Sequence, residues 1–168
     1  ALPISNAIFT VGLSGLSELT VTVQYATANG TASAGNDFLA TSGTLVFPPG
    51  TTNQSIIVAV NGDSLNETNE TFFVNLSSPL NSTLARSQGV GTILDDDPVP
   101  SLSINDVTVT EGNSGTVSAV FTVSLSVVSG QTVAVNFATA NGVAIAGTDY
   151  VATNGSLTFP PGTTSQTL

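Results

Sequence analysis

Several residue types that carry protein chemistry are absent from this sequence. Its 168 residues include no cysteine, histidine, methionine or tryptophan, and the one basic residue is Arg86. Without cysteine the chain cannot form a disulfide, a zinc–thiolate site or a redox centre. Without histidine, cysteine or lysine, the Ser-His and Ser-Lys arrangements of nucleophilic catalysis are impossible, so we expect no enzyme activity.

Positive charge is almost missing as well. Eleven acidic residues against one basic residue give a net charge of −10. Such a chain repels phosphate backbones and anionic lipid, so we expect no nucleic-acid partner. No apolar run approaches the roughly 20 residues that span a bilayer, so we expect no direct membrane insertion. Hydrophobic residues make up 40% of the chain, enough for a folded core, and a cation is the natural partner.

An internal repeat accounts for most of the sequence. The segment that begins at Phe9 aligns without gaps with the segment that begins at Phe121, and 29 of 48 positions are identical. We therefore predict a first domain over residues 1–97 that lacks its first strand, a Pro-containing linker at 98–100, and the N-terminal part of a second domain at 101–168. Because neither copy is complete, we expect the chain to be a window on a longer repetitive polypeptide.

The hydrophobic pattern within each repeat has a period of two. In "LTVTVQYAT", apolar side chains alternate with polar ones, as in a strand with one buried face. The segments "SLSINDVTVT", "FTVSLS", "GTLVF", "SIIVAV", "TFFVNL" and "GVGTIL" predict further short strands, separated by "NG", "AG" and "PPG" turns. About seven strands per repeat and no helix predict an all-β fold of tandem antiparallel, immunoglobulin-like β-sandwiches.

Most of the acidic residues are predicted to lie at one end of such a sandwich. With strands labelled A to G, the A–B, C–D and E–F loops and the end of strand G share that end. Isolated acids such as Glu18 and Asp106 fit turn capping and solubility. The others converge there: Glu111 after strand A, Asp37 and Asp149 in the C–D loops, Asp63, Glu67 and Glu70 in the E–F loop, and Asp95, Asp96 and Asp97 after strand G.

Clustered carboxylates repel one another unless a cation lies between them, and Arg86 cannot balance seven acids. Ca²⁺ accepts six to eight hard oxygen ligands in loose geometry, whereas Mg²⁺ requires a tighter octahedron. Zinc and copper prefer histidine or cysteine ligands. A paired-carboxylate glycosidase or a carbohydrate-binding module would need an aromatic platform, but the chain has no tryptophan and only two tyrosines. Calcium is therefore the expected cofactor.

The blocks "TANGTASAGNDF…GTLVFPPGTT", "NGDSLNETNETFFVNL" and "GVGTILDDD" resemble the Calx-beta domain family. The resemblance implies a Ca²⁺-binding β-sandwich, found in sodium–calcium exchangers and in extracellular tandem arrays. It implies that Asp37, Asp63, Glu67, Glu70, Asp95, Asp96 and Asp97 are ligands in the first repeat, and Glu111 and Asp149 in the second. Only the first repeat has a nearly complete set.

Two functions fit this resemblance. We expect a calcium-binding structural or adhesive repeat, located outside the cell or at its surface. In it, calcium would order the junction with neighbouring repeats of the same chain and the chains would assemble into fibres. The alternative is a Ca²⁺-sensing regulatory domain of a larger membrane or secreted protein. Low Lys/Arg content and near-identical repeats favour the array.

Overall fold

The protein is all-β, as the period-two pattern predicts. The structure, a computed structural model, describes residues 5–168 and contains eleven strands in that range. No helix in this part of the chain is long and apolar enough to cross a membrane. The strands are β1 (Ser5–Gly12), β2 (Val21–Asn29), β3 (Ser42–Phe47), β4 (Asn53–Val60), β5 (Glu70–Leu80), β6 (Gln88–Ile93), β7 (Leu102–Ile104), β8 (Thr122–Leu125), β9 (Val133–Ala138), β10 (Asn154–Phe159) and β11 (Ser165–Thr167).

The strands form two compact units that follow the sequence repeat. The first contains β1 to β6, and the second contains β7 to β11 together with Ser64–Glu67. Asn66 forms a β-bridge with Ser129, and its carbonyl accepts the Gly130 N–H at 3.1 Å, so this short segment groups with the second unit.

The first unit is a sandwich of a two-stranded and a four-stranded antiparallel sheet. Their strand orders are β1-β4 and β3-β2-β5-β6, so β1 to β6 correspond to the predicted strands B to G. Alternate residues of both sheets point inward, and ten buried side chains form the core: Val21, Val23, Ala32, Phe38, Leu45, Phe47, Ile56, Val58, Phe72 and Val74.

The second unit repeats part of this arrangement. Its sheets have the orders β11-β8-β7 and β10-β9, which correspond to predicted strands E-B-A and D-C. The core consists of Val123, Leu125 and Phe159. The first strand is shorter than "SLSINDVTVT" predicts and ends at Ile104. At Asn105 one backbone bond to Thr122 remains, from the Asn105 N–H to the Thr122 carbonyl at 3.2 Å, but the Thr122 N–H donates to Asn105 Oδ1 at 2.6 Å, so a side-chain oxygen replaces one backbone acceptor of the ladder.

Candidate metal centre

Three of the predicted ligands lie close together. Asp37, Glu67 and Glu70 each offer a carboxylate oxygen, and the three oxygens lie within 4.8 Å of one another. Asp37 belongs to the loop between β2 and β3, Glu67 to the loop between β4 and β5, and Glu70 is the first residue of β5. All three are half-buried.

The β2–β3 loop holds Asp37 in place through bonds to its own backbone. Asp37 Oδ2 accepts the Ser33 backbone N–H at 2.7 Å and the Ser33 hydroxyl at 3.0 Å. The Asp37 N–H in turn donates to the Ser33 carbonyl at 3.0 Å. Both side-chain bonds use Oδ2, so one oxygen of this carboxylate closes the loop.

Neighbouring strands anchor the same loop. The Asn61 backbone N–H donates to the Asp37 carbonyl at 2.9 Å, and Asn61 Nδ2 donates to the Asn36 carbonyl at 2.7 Å. On the other side, the Ala32 N–H donates to the Thr71 carbonyl at 2.9 Å. A Cβ at Gly30 would collide with that Thr71 carbonyl, so this close approach requires glycine.

Aromatic packing beneath the cluster fixes two of the acids. Phe38, which follows Asp37, is fully buried and stacks on Phe72 with ring centroids 4.6 Å apart and planes 21° apart. Phe72 lies two residues after Glu70 and also contacts Phe9 edge-on at 5.8 Å. Because Phe38 and Phe72 are core residues, the backbone that carries Asp37 and Glu70 is part of the rigid sandwich.

Two asparagines that sequence reasoning did not assign to the site bind the acidic segment after β6. Asn69 Oδ1 accepts the Asp95 backbone N–H at 2.9 Å. Asn66 Nδ2 donates to the Asp97 carbonyl at 3.3 Å. In the sequence, each of these residues begins a "NET" triplet among the acids. Their position between predicted ligands is the one sequence feature from which their role could have been predicted.

The remaining predicted ligands are outside this three-residue cluster. Asp63 lies in the β4–β5 loop, and the run Asp95 to Asp97 follows β6. In the second unit, Glu111 is exposed in the segment between β7 and β8. Asp149 is also exposed, and its Oδ2 accepts the Ile145 N–H at 2.8 Å, which reproduces the loop-closing bond of Asp37.

Arg86 lies too far away to neutralise the cluster. The β5–β6 register places Glu70 opposite Ile93 at one end of the strand pair and Asn75 opposite Gln88 at the other end. Arg86 precedes Gln88 and therefore lies beyond the end that is remote from Glu70. At about 3.3 Å per residue, that separates it from Glu70 by roughly 20 Å along the strand. Arg86 Nε donates instead to the Gln88 carbonyl at 2.7 Å.

The geometry suits a large, hard cation. Calcium–oxygen bonds are about 2.4 Å long, so oxygens that share one calcium ion lie at most about 4.8 Å apart. The three carboxylate oxygens already satisfy that limit. Oxygen-only donors with no imidazole or thiolate match calcium better than zinc or copper.

A comparison with family models identifies the fold family. The model of the Calx-beta domain matches residues 4–97 and again residues 94–168. The chain belongs to the Calx-beta domain family. The resemblance noted from the sequence is thus confirmed, and Ca²⁺ is confirmed as the cofactor of this family.

Relatives of this Calx-beta chain include sodium/calcium exchangers. It is 42% identical over 71 residues to sodium/calcium exchanger 1 of Canis lupus familiaris, and 40% identical over 77 residues to sodium/calcium exchanger Calx of Drosophila melanogaster. These alignments cover 42% and 45% of the chain, but 7% and 8% of the exchangers. The chain therefore spans a small part of the length of these curated relatives.

Solved structures give the same relationship. The crystal structure of calcium binding domain CBD12 of CALX1.1 matches with a TM-score of 0.54 and 26% identity, over 97% of this chain and 67% of that one. The apo-form Calx CBD1 domain matches with a TM-score of 0.52 and 34% identity, over 55% of this chain and 83% of that one. Tandem immunoglobulin-like sandwiches are thereby confirmed.

The relatives correct two expectations drawn from the sequence. The expected location outside the cell or at its surface is wrong, because the relatives named above are sodium/calcium exchangers and not extracellular adhesion or matrix proteins. The adhesive, filament-forming array has no support from them either. The low Lys/Arg content and the high similarity of the repeats favoured the extracellular array. Both features are equally compatible with a pair of calcium-binding domains in another location. The family is a calcium-binding one and not a catalytic one.

Proposed function

We propose that this chain is a Ca²⁺-sensing regulatory module of a larger protein, and that its principal ion site lies in the first repeat. The observation that carries the proposal is the Asp37, Glu67 and Glu70 cluster, within 4.8 Å, in a chain with one distant basic residue. The matching crystal structure is that of a calcium binding domain, and the matching exchangers have calcium in their names, which supports a calcium-dependent role for this chain.

Asp37, Glu67 and Glu70 form the core of the proposed site. Three carboxylates supply three to six oxygens, depending on whether each binds through one or both, and Ca²⁺ takes six to eight. Asp63 and the run Asp95 to Asp97 complete the shell from adjoining segments, as the family resemblance implies. Glu111 and Asp149 are the two ligand positions of the second repeat and do not form a complete site by themselves.

The sensing mechanism is the removal of electrostatic repulsion. Without the ion, the three carboxylates lie close together, and the repulsion between each pair of like charges raises the free energy of this arrangement. A divalent cation turns that repulsion into attraction and draws the acidic loops inward. Because Asn69 binds the Asp95 backbone, movement of the β4–β5 loop is transmitted to the segment after β6. The ion thus controls the order of the loops at this end of the sandwich.

Isothermal titration of the whole, chelator-treated chain with calcium chloride tests the proposal. We expect saturable binding, and less heat from magnesium chloride at the same concentration. The double variant Glu67→Gln, Glu70→Gln should lose about a hundredfold or more in affinity, since each removed charge forfeits several kcal/mol beside a divalent ion at an effective dielectric of about 20.

Glu18→Gln is the matched control, because it makes the same chemical change at an exposed acid in the β1–β2 loop. Its calcium affinity should stay within about twofold of the wild-type value. Unchanged affinity in the double variant would show that the cluster is not the site. Absence of saturable binding by the wild-type chain would overturn the function itself.

A further inference from the structure

The loop between β8 and β9 holds the short segment that carries Glu67. Within the second unit, Asn66 forms a β-bridge with Ser129. The Asn66 carbonyl accepts the Gly130 N–H at 3.1 Å and the Ser129 hydroxyl at 3.4 Å. Ser129 is 3% exposed, so this contact is formed away from solvent. The backbone that leads into Glu67 is therefore fixed by two bonds to the residue before it.

The side chain of Glu67 lies directly against Gly130. A Cβ on Gly130 would lie 2.7 Å from Glu67 Cγ and 3.0 Å from Glu67 Cδ, and it would collide with Oε1. Carbon atoms that are not bonded to each other pack at about 3.5–4.0 Å. The φ of Gly130 is outside the left-handed region, so the backbone conformation does not require glycine here. The space that Glu67 occupies is what requires it.

The corresponding loop of the first repeat shows that the loop itself folds without this glycine. At the offset of 112, Ser129 and Gly130 correspond to Ser17 and Glu18. In both loops the serine hydroxyl accepts the backbone N–H two positions later, at 3.1 Å in the first repeat and 3.0 Å in the second. In both, the serine carbonyl accepts the glycine N–H of the "PPG" turn, at 3.1 Å and 3.0 Å. The same hydrogen-bonded loop thus forms with glutamate in place of glycine.

We propose that Gly130 is a positioning residue for calcium, because its lack of a side chain lets the Glu67 carboxylate reach Asp37 and Glu70. The inference rests on the proposed function and adds a residue of the second repeat to those that set calcium affinity. The Glu67 carboxylate lies within 4.8 Å of the other two acids only in the position it now occupies. Since the bonds at Asn66 hold the backbone, the flexible Glu67 side chain is the part that a methyl group at position 130 would displace.

Calorimetric titration of the whole Gly130→Ala chain with calcium chloride tests the proposal. Calcium affinity should fall about tenfold, because one carboxylate of the three is displaced. The midpoint of thermal unfolding without calcium should not fall, since the displaced side chain is flexible and alanine restricts the unfolded backbone.

Gly142→Ala is the matched control. It makes the same chemical change in the β9–β10 loop of the second unit, where an added Cβ meets no atom within 4 Å. Like Gly130, Gly142 has a φ outside the left-handed region, so the effect on the unfolded chain is the same in both variants. The calcium affinity of Gly142→Ala should stay within about twofold of the wild-type value.

A double-mutant cycle with Glu67→Gln shows whether Gly130 acts through Glu67. Glu67→Gln alone should lower calcium affinity about tenfold. Because a displaced Glu67 no longer binds the ion, the addition of Gly130→Ala to Glu67→Gln should lower the affinity at most about twofold further. Independent effects would instead multiply to a loss of about a hundredfold.

Magnetic resonance of the isotopically labelled wild-type chain gives a test that needs no variant. The Gly130 amide resonance should shift as calcium is added, because its N–H binds the carbonyl of the residue before Glu67. The midpoint of this shift should match the calorimetric Kd, and the Gly142 amide resonance should stay in place. This measurement decides alone should Gly130→Ala fail to fold.

Three results would overturn the proposal in a chain that binds calcium and loses affinity on Glu67→Gln. The first is wild-type affinity in Gly130→Ala. The second is a multiplicative loss in the double variant, which would show that Gly130 acts independently of Glu67. The third is a Gly130 resonance that calcium does not move. A wild-type chain that binds no calcium would overturn the proposed function, and this inference with it.

Discussion

Asp37 and Asp149 occupy the same position of the repeat but have different neighbours. Each closes its loop by accepting a backbone N–H through Oδ2, from Ser33 at 2.7 Å and from Ile145 at 2.8 Å. Only Asp37 also lies with two further acids in the described part of the chain. The loop-closing bond therefore explains why an aspartate suits both positions, and the proposed metal-binding role of Asp37 rests on the two acids beside it.

Substitution to asparagine separates the two roles, because asparagine keeps an oxygen that accepts the loop N–H but loses the charge. We expect Asp37→Asn to lower calcium affinity by about tenfold or more, with no loss of stability without calcium, because the change also removes repulsion from Glu67 and Glu70. Asp149→Asn should leave the affinity unchanged. Titration calorimetry measures both, and equal losses in the two variants would contradict a site centred on the first repeat.

At this scale, sequence reasoning had a clear limit. The strand order alone brings Asp37, Glu67 and Glu70 to one end of the sandwich, so their proximity could be expected from loop positions. The bonds of Asn66 and Asn69 to the segment after β6 depend on side-chain rotamers and loop paths. No periodicity or composition encodes those choices.

Among the structural elements, the aromatic pair Phe38–Phe72 connects the core to the proposed metal centre. Both side chains are fully buried, and each lies within two residues of a proposed ligand. A change in this stack should shift the backbone of Asp37 and Glu70 relative to each other. Packing defects elsewhere in the core should not.

Phe38→Leu and Phe47→Leu are a matched pair of variants that tests whether the stack positions Asp37 and Glu70. Both remove an aromatic ring from the first core, so each should lower the free energy of unfolding by about 1–2 kcal/mol. Only Phe38→Leu should also weaken calcium binding, by several-fold. Denaturant unfolding and titration on the same samples provide the comparison, and an equal loss of affinity in Phe47→Leu would refute the role of the stack.

Strand prediction succeeded where one face is buried and failed where a side chain interrupts the ladder. In β2 and β4 the alternation of Val21 with Thr22 and of Val58 with Ala59 appears directly as buried and less buried positions. In "SLSINDVTVT" the apolar positions shift from Leu102 and Ile104 to Val107 and Val109, and the strand stops at this change of phase, where Asn105 Oδ1 replaces a backbone acceptor. The two polar residues in succession, Asn105 and Asp106, are the sequence signal for the end of this strand.

The whole molecule contains two separate cores of unequal size. Ten buried hydrophobic side chains form the first, and Val123, Leu125 and Phe159 form the second, among the residues that the structure describes. Hydrophobic burial is the main favourable term in folding, so the second unit should be much less stable. A single free energy of unfolding would then not describe the chain.

Scanning calorimetry of the whole chain should accordingly show two transitions. Val58→Ala, in the first core, should lower the upper transition by several degrees, and Val123→Ala should lower the lower one, since each costs about 2–3 kcal/mol in its own unit. Calcium at about 100 times its Kd should raise the free energy of unfolding of the first unit, whose transition Val58→Ala lowers, by about 2.7 kcal/mol. The reason is that the proposed site is built largely on the first sandwich. If both variants lower one common transition by the same amount, the two cores unfold as one cooperative unit and the predicted independence is wrong.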